Sequence, residues 1–252
     1  MSRETAERSR STVDPAEIAH FDALAATWWD PRGEMRALHM LNPVRIGYIR
    51  DAAFRHFGRE PRRLDSLKDL RILDIGCGAG LLSEPLARLG ASMVGADPSE
   101  TNIKTAIVHA QQSGLTIDYR PVTAEALADA GERFDVVLAM EVVEHVADVA
   151  QFVKRCTEMV KPGGLMIAAT INRTFKSYAL AIVGAEYILR LIPLGTHHWD
   201  KFVTPDELEG AMERNGLTVL DERGVVLNVF AGEWQLSNDL DVNYMVMAER
   251  PA

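Results

Sequence analysis

The 252-residue sequence has only two cysteines, Cys77 and Cys156. They cannot build a disulfide framework and do not form a CxxC pair, so a reduced compartment is the simple expectation. Positive charge is in deficit too, with 27 Lys and Arg against 36 Asp and Glu and a net charge of −9. A nucleic-acid footprint is basic, so no nucleic-acid partner is expected. There is no uncharged apolar run of about 18 residues, which argues against a transmembrane helix. Met1–Arg10 is polar, carries Glu4 and Glu7, and lacks the apolar stretch of a secretory signal. Internal repeats and low-complexity linkers are missing as well. What is present is ordinary for a globular chain: 47% hydrophobic and 25% charged residues. The expected organisation is a flexible N-terminus (1–13) and a single domain (14–252), with N-terminal helices over 14–60 and an insertion over 172–203.

The rhythm of apolar residues sets the fold class. Asp14-Pro15 reads as an N-cap followed by proline at the first helical position. Ile18, Phe21, Leu24, Ala25 and Trp28 then recur at helical spacing. Asn42-Pro43 is expected to start a second helix carrying Ile46, Ile49, Ala53 and Phe57. From Leu70 the pattern becomes short apolar runs alternating with helices. Strands are predicted at Leu70–Asp74, Ser92–Ala96, Leu115–Tyr119, Phe134–Met140 and Leu165–Thr170, and helices at Leu81–Leu89, Ser99–Gln112 and Val149–Val160. After the insertion come a helix starting at Thr204-Pro205 and two more strand-like runs, Leu217–Gly224 and Val242–Ala248. The alternation predicts βαβ units and an α/β fold with a mostly parallel seven-stranded sheet covered by helices on both faces.

Asp74-Ile75-Gly76-Cys77-Gly78-Ala79-Gly80 follows the first strand and opens a helix. Glycines there allow a tight turn and close approach of a ligand to the backbone. A dinucleotide fingerprint needs GxGxxG, but Leu81 occupies its last place, which speaks against an NAD-linked oxidoreductase. The pattern Gly76, Gly78, Gly80 behind an acid looks like the nucleoside–methionine site of class I methyltransferases. Asp97, at the end of the second strand, is placed to accept hydrogen bonds from both ribose hydroxyls. Asp74 either faces the amino-acid portion of that ligand or caps the turn backbone.

Met140-Glu141-Val142-Val143-Glu144-His145 follows the fourth strand. If a helical turn begins there, Glu141, Glu144 and His145 stand at i, i+3 and i+4 on one face. Three readings stay open. The cluster could hold a divalent metal such as Mg²⁺. His145 could act as a general base steered by a glutamate. Or the glutamates could simply complement the dipole of a solvated helix start. A phenol ionises near pH 10, so either of the first two arrangements would help a phenolic oxygen become a nucleophile.

Phe21-Asp22-Ala23-Leu24-Ala25, Trp28-Trp29-Asp30-Pro31 and Leu41-Asn42-Pro43-Val44-Arg45 add a more specific signal. Together with DIGCGAG (74–80), MEVVEHV (140–146), GAEYILR (184–190) and Thr196–Phe202, they make nearly the whole chain from about residue 16 to 248 resemble the ubiquinone-biosynthesis O-methyltransferases. The typical member of that family methylates demethylubiquinol and an earlier polyprenyl hydroxyphenol. The resemblance implies S-adenosylmethionine as methyl donor, leaving S-adenosylhomocysteine. It implies cofactor contacts at Arg45, Gly76, Asp97 and Met140, and Mg²⁺ at Glu141, Glu144 and His145, which would then be the catalytic set. Pro98 departs from the family pattern and leaves the shape of the loop after Asp97 in question.

Between Ser177 and Ile192 the only charges are Glu186 and Arg190, a stretch too short to span a bilayer. It is expected to act as a lid that also touches a membrane surface over about 175–194, since a polyprenylated acceptor lives in a bilayer. The resulting expectation is a cytoplasmic enzyme, peripheral at the inner face of a bacterial plasma membrane, with a ubiquinone-biosynthesis complex as a further partner. His197, His198 and Trp199 read as exposed loop residues, and Trp28 and Trp29 as packing residues. Competing functions are an N- or C-methyltransferase of the same fold, or a non-catalytic adenosyl-binding component.

Overall fold

The computed structural model describes residues 11–60, 63, 65–180, 198–228 and 231–252. The expectations for Glu186, Arg190 and His197, and for most of the lid, lie outside the described residues. α1 (Pro15–Leu24) is capped as the sequence predicts, with the Asp14 carboxylate accepting from the Ala16 N–H at 3.0 Å. Packed chain begins earlier. Thr12 is buried, gives its N–H and hydroxyl to Glu125 Oε1, and is followed by a bridge between Val13 and Val146.

α2 (Arg36–Phe57) corrects the predicted start at Asn42-Pro43, because Pro43 lies inside it. An interior proline costs about 3 kcal/mol. Burial of Leu41, Tyr48, Ile49, Ala52 and Ala53 along one face opposes that cost. β1 (Arg71–Ile75), α3 (Ser83–Arg88), β2 (Ser92–Asp97), α4 (Glu100–Gln112), β3 (Asp118–Pro121), α5 (Ala124–Asp129), β4 (Phe134–Met140), α6 (Val149–Glu158) and β5 (Val160–Ile171) follow as an alternating series. α7 (Pro205–Arg214) opens with the Thr204–Glu207 capping box, and β6 (Thr218–Asn228), β7 (Glu233–Ser237) and β8 (Asn243–Glu249) complete the chain.

One sheet runs β3-β2-β1-β4-β5-β8-β6-β7. The first five strands are parallel, and β8 enters antiparallel between β5 and β6. β7 is an eighth strand that the sequence pattern does not reveal. Side-chain alternation splits the core. Leu73, Ile75, Val137 and Ala139 pack under α5, α6 and α7, whereas Ile72, Val136 and Leu138 pack under α2 and α3. The order reverses between β1 and β4, so the crevice at their carboxyl ends is where a ligand is expected. Among the described residues no helix is long and apolar enough to cross a membrane.

Candidate active site

The carboxyl ends of β1, β2 and β4 open on a cavity of about 610 Å³, a size typical of small-molecule sites. The glycine loop forms its floor. Gly76 and Gly78 have φ of +70° and +52°. A side chain at Gly76 would run into Val142, and one at Gly78 into the Trp28 indole. Both positions therefore require glycine for backbone angle and for space. The Gly76 and Cys77 N–H groups donate to the Ala96 carbonyl at 2.7 and 3.1 Å, which ties the turn to β2.

Asp97 is buried at the end of β2. Its Oδ2 accepts from the Gly78 N–H at 3.0 Å and its Oδ1 from the Ser99 N–H at 2.8 Å. Pro98 thus leaves the carboxylate in place, and Ser99 goes on to cap α4. Burial pushes Asp97 up to about 6, against the lowering effect of those backbone hydrogen bonds. Asp74 accepts from the Ser83 hydroxyl at 2.6 Å. Burial raises it to about 7, opposed by that hydrogen bond and assisted by the Asp97 charge. Asp74 both lines the cavity and braces the turn into α3. Asn102 Oδ1 is buried with no hydrogen-bond partner among the described residues. Met140, the last residue of β4, also lines the cavity.

Glu141, Glu144 and His145 do not adopt the arrangement the sequence suggests. The helical turn covers only Val143–His145, and Glu141 stands before it in the left-handed region at φ +57°. For a residue with a Cβ that costs roughly 1–2 kcal/mol. Its N–H donates to the Ala169 carbonyl at 2.9 Å, and its Oε1 lies 2.7 Å from Nη2 of buried Arg45. Glu144 is buried, accepts from the Thr170 hydroxyl at 2.8 Å through Oε2, and has no partner at Oε1 among the described residues. Burial raises its pKa, and the Glu141 charge adds to the shift.

His145 turns to a residue that motif reading missed: its Nδ1 lies 3.0 Å from Glu17 Oε2. Burial opposes the charged imidazole, but the hydrogen bond to Glu17 and the Glu144 charge outweigh it and raise the pKa above 6.5. For Glu17 burial also opposes charge, yet hydrogen bonds from His145 and Lys201 bring it down to about 2. Lys201 Nζ holds Glu17 at 2.8 Å and Asp14 at 3.2 Å. The available signal was helical spacing, since Glu17 lies four residues before Phe21 on α1 and the Phe21 ring meets the His145 ring edge-on at 5.1 Å. Each member of the expected metal set thus has its own partner. Among the described residues no group of three or more His, Cys, Asp or Glu is placed to hold a metal ion.

Trp28 lines the cavity beside the glycine loop, and Trp29 packs behind it. Trp29 Nε1 donates to the Ala79 carbonyl at 3.0 Å, and its ring stacks on His109 at 3.5 Å. His109 Nδ1 is in turn 2.6 Å from buried Glu84. Away from the glycine loop the cavity has an apolar stretch of wall from Leu41 of α2, Ile171, and Val225, Leu227 and Trp234 of the C-terminal hairpin, with Lys176, Asp239 and Asn243 also in the lining.

Residues 47–222 match the family described as a methyltransferase domain. The chain is 59% identical over 241 residues to the ubiquinone biosynthesis O-methyltransferase of Azorhizobium caulinodans, covering 96% of this chain and 95% of that protein. It is 61% identical over 239 residues to the protein of the same name from Bradyrhizobium diazoefficiens, covering 95% and 94%. In fold it is similar to the crystal structure of magnesium protoporphyrin IX methyltransferase from Synechocystis PCC 6803 with bound SAH. The TM-score there is 0.64 at 19% identity, with 92% of this chain and 94% of that chain covered.

Proposed function

The chain belongs to the ubiquinone biosynthesis O-methyltransferases, S-adenosylmethionine-dependent enzymes, and from that premise we propose that it methylates a phenolic or quinol hydroxyl of a polyprenylated ubiquinone precursor. S-adenosylmethionine supplies an electrophilic methyl group on a sulfonium. The floor of the cavity fits such a donor: a turn of positive-φ glycines, buried Asp97, and Asn102 Oδ1, unpaired among the described residues. We assign Gly76, Gly78, Gly80 and Met140 to its surface and Asp97 to its ribose hydroxyls. Asp74 shapes the loop, and Arg45 is the cation for its carboxylate.

The observation that carries the catalytic reading is the Glu17–His145 pair on the wall of the same cavity. Glu17 fixes Nδ1 and leaves Nε2 as the ring nitrogen for the acceptor. In its neutral form His145 accepts the hydroxyl proton, which raises the nucleophilicity of the oxygen. Glu141 holds Arg45, and Glu144 accepts from the Thr170 hydroxyl. Holding both reactants in one cavity contributes the orientation that the transfer needs.

Mg²⁺ at Glu141, Glu144 and His145 is the alternative activation, but the residues as placed do not fit it. The Arg45 guanidinium already occupies Glu141, and Glu17 occupies His145 Nδ1. No step here depends on a metal. Turnover should persist in chelated, metal-free protein; strict dependence on added Mg²⁺ would mean that the Arg45–Glu141 pair opens.

The prenylated acceptor brings the membrane into the reading. We place the enzyme at the inner face of a bacterial plasma membrane, docked through about residues 175–194, with a ubiquinone-biosynthesis complex as its setting. Support comes from Phe175, Tyr178 and Leu180, which are 83%, 44% and 53% exposed where this stretch begins. Liposome cosedimentation should fall for Phe175→Glu and Leu180→Glu. Failure of the unmodified protein to bind any lipid mixture would remove the docking. The activity is tested with labelled methyl donor on quinols, catechols and amines. Transfer to quinol or catechol oxygen is expected, and transfer confined to nitrogen or carbon would overturn it.

A further inference from the structure

The match to the methyltransferase domain ends at residue 222, and the wall opposite the glycine loop comes from beyond it. β6 continues to Asn228 and the chain returns as β7, with Leu227 in register with Trp234. Trp234 lines the cavity beside Val225 and Leu227 and packs against the cluster containing Leu41, Val225 and Met245. Its Nε1 is buried and has no hydrogen-bond partner among the described residues. An indole is a donor only, so a buried one without an acceptor bears the full desolvation cost of its N–H. Phenylalanine would fill apolar space on this wall without that cost. Trp28, whose Nε1 is likewise buried without a partner among the described residues, lines the same cavity and packs against the glycine loop, whereas Trp234 stands among Val225 and Leu227. An unpartnered donor beside apolar side chains selects for a ligand oxygen, because a ligand without one leaves the donor unpaired.

We propose that Trp234 is a specificity-determining residue: its indole N–H donates a hydrogen bond to a second oxygen on the acceptor ring and so decides which hydroxyl is turned toward His145. The proposal rests on the aromatic-oxygen acceptor assigned above. The apolar remainder of the wall receives the prenyl tail, where contact is tolerant of length, whereas the indole reads ring substitution. β7, outside the domain match, is then an acceptor-recognition strand.

The test uses the full-length enzyme, unmodified and as Trp234→Phe, with two short-tailed acceptors. One is a catechol carrying a third ring oxygen as methoxy, and the other has ethyl in place of that methoxy. Trp234→Phe should lower kcat/KM about five- to tenfold on the first acceptor and less than about twofold on the second. S-adenosylhomocysteine affinity and melting temperature should be unchanged. Equal losses on both acceptors, or no loss on either, would overturn the proposal while leaving the enzyme's activity assigned. If the unmodified enzyme turns over neither acceptor with donor bound, the acceptor class is wrong and this inference falls with it. Should Trp234→Phe fail to fold, the unmodified enzyme alone decides. It should prefer the oxygenated acceptor about five- to tenfold in kcat/KM, and parity would overturn the proposal.

Discussion

The two ends of the cavity are made differently. The donor end is backbone: positive-φ glycines, a turn tied to β2, and a buried carboxylate holding loop N–H groups at 2.8 and 3.0 Å. The proposed acceptor end is side chains contributed by elements far apart in the chain, Glu17 on α1, His145 after β4 and Trp234 on β7, which all line the cavity. The first depends on the central sheet and has little freedom to vary. The second depends on how peripheral helices and a hairpin dock, and is where substrate choice can change without disturbing the fold.

If that division holds, Asp97→Ala should have the largest effect. It removes a charged acceptor and orphans two buried N–H groups, so S-adenosylhomocysteine affinity should fall about a thousandfold by calorimetry. Affinity within a few fold of the unmodified protein would break the comparison. His145→Ala should lower kcat about a hundredfold with donor affinity intact, and parallel loss of donor affinity would place His145 at the wrong end. Gly78→Ala meets both a positive φ and the Trp28 indole, so chemical denaturation should show about 2 kcal/mol of lost stability. An unchanged midpoint would contradict the close approach.

Glu17→Gln is the finest probe, with about a tenfold loss of kcat expected. The neutral imidazole is the active form and its pKa is raised above 6.5, so kcat/KM should rise with pH through a midpoint above that value. Removing the Glu17 charge should move the midpoint down, and an unmoved midpoint would exclude the contact. The pair also affects stability. Glu17 contributes above 4.5 and loses its contribution as pH falls toward about 2. His145 contributes fully below 6.5 and loses its contribution as pH rises through its raised pKa. The pair therefore stabilises most between pH 4.5 and 6.5.

The same division explains what could be read in the residues. β1, β4 and β5 are covered on both faces, so their apolar runs stand out, and Val136 to Ala139 are completely buried. The glycine loop and Asp97 are legible because backbone geometry restricts residue type. β7 is not, because in Glu233–Ser237 only Trp234 and Ser237 are even half-buried, so burial does not alternate, and charge at its start breaks the pattern. The helix through Pro43 and the left-handed Glu141 go against local preference and are held by tertiary contacts, Leu41 and Arg45 among them. Glu17 carries no motif. Its partnership with His145 spans just over half the chain, and spacing within α1 fixes its face but not its neighbour.

The most direct measurement is a crystal structure of the enzyme with S-adenosylhomocysteine and a quinol acceptor bound together. The account predicts the adenosyl ribose on Asp97 and the ring hydroxyl within about 3.2 Å of His145 Nε2. A ring bound with its hydroxyl away from His145, while the donor product fills the glycine-loop site, would contradict it.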